Sequence, residues 1–190
     1  MMEVIMGGSG SGKSGYAEKT IVEKTKNGLP RYYIATMKVY GSEGRQRVEK
    51  HRKQRQYLDF VTIEQERDIS KAVEKMSRGK GAVLLECISN LVANEMFGKE
   101  KTQEEWKAIP AKVLQELEAL KGASVSLVVV TNNVFEDGNS YDEETREYMD
   151  CLAKVNAELV KMADVVTEVV AGIPIPMKGA ENQCVYGKVL

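Results

Sequence analysis

The stretch EVIMGGSGSGKSGYAEK, residues 3–19, decides the fold of this chain. Its centre, GGSGSGKS at 7–14, fits the spacing G-x-x-x-x-G-K-[ST] of a phosphate-binding P-loop. An apolar run precedes the glycines and a helix-forming run follows them, which is the strand–loop–helix context that the motif requires. The sequence therefore predicts a nucleotide site between a strand and a helix, and the alternative of an ordinary Gly/Ser-rich turn is disfavoured.

Each part of this loop has a chemical role. The glycines at 7, 8, 10 and 12 allow backbone N–H groups to turn inward and surround phosphate oxygens. The helix that begins near Lys13 directs the positive end of its dipole toward the same anion. We expect the Lys13 ammonium to reach the β- and γ-phosphates, and the Ser14 hydroxyl to bind Mg²⁺.

The remaining sequence alternates short apolar runs with longer amphipathic stretches. This pattern predicts strands at 3–6, 31–36, 60–64, 82–87, 126–131 and 165–171, and helices at 13–26, 43–57, 67–78, 88–97, 103–121 and 142–162. The runs AVLL and LVVV are continuous, as expected for parallel strands that helices cover on both faces. We expect one α/β domain over residues 1–190, with a mainly parallel sheet flanked by helices.

A metal-linked phosphate site also requires an acid at the end of a core strand. The run VLLEC supplies Glu86, whereas the strand that ends in VVVTNN offers no acid before Glu136 and Asp137 in the following loop. Glu86 is therefore the candidate for contact with Mg²⁺ or substrate. The alternative is an acid that merely caps the helix at 88–97.

Composition excludes several classes of protein. The net charge is -1 and the sequence pI is about 6.0, so nothing global indicates binding to a nucleic-acid backbone. No apolar run approaches the ~20 residues of a membrane span, and the start MMEVIMGG lacks the basic flank of a signal peptide. The 3 cysteines form no CxxC pair, so we expect no structural zinc and a cytoplasmic location.

The single histidine lies in a strongly basic segment, GRQRVEKHRKQR at 44–55. If 43–57 is helical, Arg47, His51 and Arg55 lie on one face, and the flanking cations favour the neutral imidazole. A neutral ring nitrogen can attack phosphorus, while the cations neutralise a triphosphate. The arrangement suits covalent nucleotidyl transfer, although the charge run alone favours a solvated basic helix face and is also compatible with a cationic lid.

The motifs taken together resemble one known family. In order they read GGSGSGKS (7–14), YIAT (33–36), RVEKHRKQR (47–55), LLECISNLVAN (84–94), VVVTNN (128–133), REYMDCLAKVN (146–156) and NAELVKMAD (156–164). This series resembles the bifunctional adenosylcobinamide kinase/adenosylcobinamide-phosphate guanylyltransferase family of cobalamin biosynthesis. Within it, the P-loop and the R-x-x-x-H-R-x-x-R block are the most specific parts. The resemblance implies a P-loop domain similar to the RecA core, assembled as a homotrimer.

The resemblance implies two reactions. A nucleoside triphosphate, GTP or ATP, phosphorylates adenosylcobinamide; GTP then guanylylates the histidine that corresponds to His51, and GMP passes to adenosylcobinamide phosphate to give adenosylcobinamide-GDP. Lys13 and His51 are the implied catalytic residues, and Ser14 and Glu86 the implied Mg²⁺ ligands. The implied nucleotide contacts are Gly7, Gly8, Ser9, Gly10, Ser11, Gly12, Lys13, Ser14, Ala35, Thr36, Met37, Arg52, Lys53, Gln54, Arg55, Glu64 and Glu86.

This sequence departs from the family pattern at three places. After YIAT it keeps only the glutamate of GSEG, after VTN it reads NVFEDG, and Ala153 occupies a position where the family has glycine. Two other functions therefore stay open from the residues themselves. One is a simple P-loop kinase of a small alcohol that forms no covalent intermediate. The other is a non-catalytic GTP- or ATP-binding regulator.

Overall fold

The computed structural model describes residues 1–25, 28–38, 57–98, 102–135 and 141–179. The strands are β1 (Met2–Met6), β2 (Arg31–Ala35), β3 (Phe60–Glu64), β4 (Ala82–Glu86), β5 (Ser126–Val130), β6 (Val165–Val170) and β7 (Ile173–Lys178). The α-helices are α1 (Lys13–Lys24), α2 (Ile88–Phe97), α3 (Gln103–Lys107), α4 (Ile109–Ala123) and α5 (Glu143–Met162), and a 3₁₀ helix spans Ile69–Lys75. In this described part of the chain, no helix is long and apolar enough to cross a membrane.

The strands form one mainly parallel sheet in the order β3-β2-β4-β5-β1-β6-β7. The six strands from β1 to β6 all pair in parallel with their neighbours among these six. Strand β7 lies at the edge of the sheet and pairs with β6 in the antiparallel direction. Strand β5 lies between β1, which leads into the P-loop, and β4, which ends at Glu86. The α/β fold predicted from the sequence, a mainly parallel sheet flanked by helices, is confirmed.

Helices cover both faces of the sheet, which explains the continuous apolar runs. On one face, α1 places Ala17 and Ile21 against strand residues such as Leu84 and Val128. On the other face, α2, α4, α5 and the 3₁₀ helix bury a larger core around Leu85. Alternate residues of β4 and β5 therefore meet different helix layers, and both sets have to be apolar.

Two predicted helices differ from the structure, and a third lies almost wholly outside the described residues. The helix expected at 67–78 is a 3₁₀ helix, preceded by Asp68 in the left-handed conformation with φ 49°. The helix expected at 103–121 is two helices, since α3 ends at Ala108 and α4 begins directly after it. Pro110 lies in the first turn of α4, where backbone N–H groups have no helical partner, so proline is tolerated there. The helix expected at 43–57 lies outside the described residues, except that Tyr57 lies in a turn.

Strand β7 was not predicted, because its sequence IPIPMK contains two prolines. Proline cannot donate a ladder hydrogen bond, so it is tolerated in an edge strand and argues against a central one. The connection from β6 is a two-residue turn in which Ala171 and Gly172 both have positive φ, at 50° and 82°. Lys178 ends β7, and its Nζ donates to three carbonyl oxygens at the end of α5, at 2.8, 3.1 and 2.6 Å.

A cluster of three acids, Asp68, Glu95 and Glu116, holds the 3₁₀ helix against α2 and α4. Glu95 Oε1 accepts from the Asp68 N–H and Glu116 Oε2 from the Ile69 N–H, each at 2.9 Å. The Lys112 ammonium lies 2.6 Å from Asp68 Oδ1 and 2.7 Å from Glu95 Oε2. We call these four charged side chains the Lys112 cluster.

Burial and the hydrogen bonds within the Lys112 cluster shift the pKa values of its members. Burial by itself lowers the pKa of Lys112, but hydrogen bonds to Asp68 and Glu95 outweigh burial and raise it. The hydrogen bond from Lys112 lowers the pKa of Asp68 to about 2, whereas burial raises the pKa of Glu116. An internal ammonium thus fills the position between the carboxylates, so the cluster is structural.

Candidate nucleotide-binding site

The P-loop fits between β1, α1 and the β6–β7 turn with no room for larger residues at two positions. A Cβ atom added to Gly7 would lie 2.5 Å from the Val169 carbonyl oxygen in β6. Gly12 has φ 91°, which favours glycine, and a Cβ there would lie 3.3 Å from Gly172 Cα. Since the Gly172 N–H also donates to the Ser11 carbonyl at 2.8 Å, the β6–β7 turn supports the loop from one side.

Lys13 is the first residue of α1, and its side chain lies back over the loop. It is 9% exposed, and its Nζ donates to the Gly8 carbonyl oxygen at 2.9 Å. Burial lowers the pKa of Lys13, while the nearby Cys87 and Glu86 oppose that shift. A partly desolvated ammonium next to loop N–H groups and a helix N-terminus makes this region complementary to an anion such as phosphate.

Ser14 and Glu86 come together although they are far apart in sequence. The Ser14 hydroxyl donates to Glu86 Oε1, and the phenol hydroxyl of Tyr33 donates to Glu86 Oε2 at 2.9 Å. Hydroxyl and carboxylate oxygens are the hard ligands that divalent cations such as Mg²⁺ prefer. The donor set at the end of β4 therefore fits a divalent cation bound together with a nucleotide.

The ends of β2 and β3 lie beside this pair. In the sheet register, Ala35 lies opposite Glu86 on one side and opposite Glu64 on the other. Glu64 is exposed and is separated from Glu86 by the width of β2, which places their backbones roughly 10 Å apart. The three predicted nucleotide contacts of this group therefore line one level of the sheet edge.

Thr36 has a structural contact that the sequence did not reveal. Its side chain is fully buried; the hydroxyl donates to the Cys87 carbonyl at 2.8 Å and accepts from the Cys87 N–H at 2.7 Å. Its own N–H donates to the Glu86 carbonyl at 2.9 Å. Thr36 therefore fastens the end of β2 to the end of β4, and Met37 continues the chain from that point.

Comparison with known proteins identifies the family of this chain. The profile of a family described as cobinamide kinase / cobinamide phosphate guanyltransferase matches residues 3–177. The chain belongs to this family. It is 30% identical over 186 residues to the bifunctional adenosylcobalamin biosynthesis protein CobU of Escherichia coli K12, covering 94% of this chain and 100% of that protein.

More distant proteins are also similar. The bifunctional adenosylcobalamin biosynthesis protein CobP of Pseudomonas aeruginosa is 26% identical over 181 residues, covering 94% of this chain and 98% of the relative. Among solved structures, the flagellar accessory protein FlaH from Methanocaldococcus jannaschii aligns at 12% identity with a TM-score of 0.49, over 93% of this chain and 77% of its own.

The described residues hold one part of the site predicted for this family. The loop residues 7–14, the β2 end at 35–37, Glu64 and Glu86 are all at the carboxyl edge of the sheet or next to it. Outside the described residues lie His51, the four residues that follow it, Arg52, Lys53, Gln54 and Arg55, and the acids Glu136 and Asp137.

A polar network that the sequence analysis missed connects the β5 end to α2 and α5. Asn132 donates through Nδ2 to the Ser89 hydroxyl at 2.6 Å, and Asn156 of α5 donates to the Asn132 carbonyl at 3.3 Å. The Asn133 N–H donates to the Gly7 carbonyl at 3.1 Å, so the network reaches the P-loop backbone. The sequence signal for this network is the polar run TNN at 131–133, which directly follows a buried strand.

Proposed function

We propose that this chain carries out both reactions of its family on adenosylcobinamide. A nucleoside triphosphate phosphorylates the hydroxyl of adenosylcobinamide, and GTP then supplies GMP to adenosylcobinamide phosphate to give adenosylcobinamide-GDP. Family membership supports the two reactions, and relatives named for adenosylcobalamin biosynthesis support the corrinoid substrate. The chain covers those relatives almost completely, so both halves of their reaction are included in the proposal.

The observation that carries the proposal is the contact between Ser14 and Glu86 next to Lys13. Three residues from two distant segments meet at the carboxyl edge of the sheet, each with the group that phosphate chemistry needs. Lys13 offers a partly desolvated ammonium for the β- and γ-phosphates. Ser14 and Glu86 would hold Mg²⁺, which when bound neutralises charge on the phosphate oxygens.

We propose His51 as the nucleophile of the second reaction. A neutral imidazole nitrogen attacks the α-phosphorus of GTP, the bond to the bridging oxygen breaks, and pyrophosphate leaves with that oxygen. The ring loses its N–H proton to water and carries GMP as a phosphoramidate. A phosphate oxygen of adenosylcobinamide phosphate then attacks the same phosphorus. The P–N bond breaks, and the ring takes a proton back from water, which regenerates the neutral imidazole.

The segment that contains His51 follows strand β2 in the sequence. Thr36 ties the end of β2 to β4, and Met37 and Lys38 follow it at the phosphate-binding edge. The four residues after His51, Arg52, Lys53, Gln54 and Arg55, are proposed to contact the nucleotide together with the loop residues 7–14, Ala35, Thr36, Met37, Glu64 and Glu86. We also propose that the chain is a single domain, acts in the cytoplasm and assembles as a homotrimer.

Intact-protein mass spectrometry tests the histidine intermediate. The wild type, His51→Ala and Lys13→Met proteins are incubated with GTP and Mg²⁺, quenched at neutral or alkaline pH and weighed. We expect a mass gain of one GMP in the wild type alone, and its loss on brief acid treatment, because phosphoramidates are acid-labile. Phosphorylation of adenosylcobinamide is measured in parallel and should persist in His51→Ala but not in Lys13→Met.

Each outcome has a definite meaning. A GMP adduct that persists in His51→Ala places the nucleophile on another residue. A wild type that binds GTP, phosphorylates adenosylcobinamide and forms no adduct is a simple P-loop kinase, and a wild type that binds GTP without any turnover is a nucleotide-binding regulator. Either of the last two results overturns the proposed guanylyl transfer.

A further inference from the structure

We propose that Tyr33 is a positioning residue that holds the Glu86 carboxylate in the orientation needed to bind a divalent cation. Its phenol hydroxyl donates to Glu86 Oε2 at 2.9 Å, while the Ser14 hydroxyl donates to Glu86 Oε1. The carboxylate is thus held from two sides, by β2 and by α1. The inference rests on the proposed role of Ser14 and Glu86 as metal ligands.

The sheet geometry explains why Tyr33 can reach this carboxylate. Tyr33 lies opposite Leu84 on β4, two residues before Glu86, so both side chains project from the same face of the sheet. That is the face that α1 covers, and Ser14 lies in the first turn of α1. The long tyrosine side chain therefore spans the distance from the middle of β2 to the end of β4.

The tyrosine ring is fixed, and its hydrogen bond is therefore directed. Tyr33 is 4% exposed, and the Phe60 ring packs against it edge-on, with ring centroids 6.0 Å apart and an interplanar angle of 77°. A ring held in this way cannot follow a moving carboxylate, so it selects one rotamer of Glu86. Outer residues that orient metal ligands in this manner typically change metal affinity or activity about 10–100-fold when they are replaced.

The neighbouring Tyr32 provides a matched control on the opposite face of the same strand. It is fully buried, and its hydroxyl donates to the Gly79 carbonyl and accepts from the Arg78 N–H, both at 2.9 Å. These contacts hold the loop that follows the 3₁₀ helix and involve no residue of the nucleotide site. Tyr32→Phe therefore removes buried phenol hydrogen bonds without touching Glu86.

The test measures how Mg²⁺ changes the affinity for a fluorescent GTP analogue. Affinity is determined in EDTA and over a Mg²⁺ titration for the wild type, Tyr33→Phe, Tyr32→Phe and Glu86→Gln. We expect Tyr33→Phe to raise the Mg²⁺ concentration for half-maximal tightening about tenfold, with affinity in EDTA unchanged. Tyr32→Phe should leave this Mg²⁺ midpoint unchanged and lower only the thermal midpoint of unfolding.

Two comparisons separate failure of this inference from failure of the proposed metal site. If Glu86→Gln removes the Mg²⁺ effect while Tyr33→Phe does not move it, the role of Tyr33 is wrong and the metal role of Glu86 stands. If Glu86→Gln also leaves the Mg²⁺ effect intact, both are wrong. The double variant should behave like Glu86→Gln alone, since Tyr33 acts through Glu86; an additional shift in the double variant contradicts the proposal.

Discussion

Replacing Lys112 by methionine should destabilise the protein far more than the same replacement of Lys71. Both lysines contact Asp68, so the pair is matched in chemistry and location. The Lys112 ammonium lies 2.6 Å from Asp68 Oδ1 and 2.7 Å from Glu95 Oε2, whereas the Lys71 ammonium lies 3.2 Å from Asp68 Oδ2. The decisive difference is Glu95, whose side chain is 2% exposed.

The magnitude follows from this burial. Removing one partner of a buried ion pair costs about 3–5 kcal/mol, because the remaining charge is left desolvated. The Lys112 side chain is 36% exposed, so water reaches part of the site and we reduce the expectation to about 2–3 kcal/mol. The Lys71 side chain is 63% exposed, and its loss should change the free energy of unfolding by about 0–1 kcal/mol. Methionine retains an apolar stem at both positions, which limits the loss of packing.

Urea unfolding followed by circular dichroism gives the free energy of unfolding of each variant. A third protein, in which Glu95→Gln accompanies Lys112→Met, should recover part of the loss, since the buried group is then neutral. Equal losses for the two lysine variants would refute the reasoning. So would a double variant that is less stable than Lys112→Met alone, because the unpaired charge of Glu95 would then not be the cause.

Three further outcomes are expected. Lys178→Met removes three hydrogen bonds to carbonyls at the end of α5 and should lower the free energy of unfolding by about 1–2 kcal/mol, measured by urea denaturation; an unchanged midpoint contradicts it. Gly7→Ala places a Cβ 2.5 Å from the Val169 carbonyl and should lower the thermal midpoint, whereas Gly15→Ala meets no atom within 4 Å and should not. Asp68, with its pKa lowered to about 2 from 3.8, stabilises the fold fully above about pH 4, and the stability advantage of the wild type over Asp68→Asn should shrink as pH falls from 4 toward 2; an advantage that grows contradicts the assignment.

The parts of the fold that could be predicted are those where a local pattern is sufficient. The buried strands carry continuous apolar runs. In α5, apolar residues recur at three- and four-residue steps, and three of them, Leu152, Val155 and Leu159, are buried. The 3₁₀ helix at Ile69–Lys75 could not be predicted, because its start depends on Glu95 and Glu116 from other helices. Strand β7 could not be predicted either, because its two prolines are compatible with a strand only at the edge of the sheet.

The same distinction applies to the site. The spacing of the P-loop predicts Lys13 and Ser14 as site residues, and the acid at the end of an apolar strand predicts Glu86. The structure brings Ser14 and Glu86 into contact. Tyr33 was quoted only as part of a motif, because its contact with Glu86 depends on the pairing of β2 with β4, which spacing along the chain does not reveal. Thr36 was expected as a nucleotide contact, and its hydroxyl instead proves to bond the Cys87 backbone; a nucleotide contact at Thr36 stays a prediction.

In the two proposed reactions, different nucleophiles attack different phosphorus atoms of a nucleotide. The geometry of the described site is compatible with one P-loop that binds the nucleotide for both reactions. In the proposed mechanism Lys13 and the loop N–H groups bind phosphate charge. This binding is needed whether the γ-phosphorus accepts a substrate hydroxyl or the α-phosphorus accepts the His51 nitrogen. The loop does not determine which nucleophile approaches. Under the proposed mechanism this choice is left to His51 and to the corrinoid. The hydrogen bonds from Thr36 to Cys87 and from Tyr33 to Glu86 would keep the phosphate-binding edge the same for both reactions.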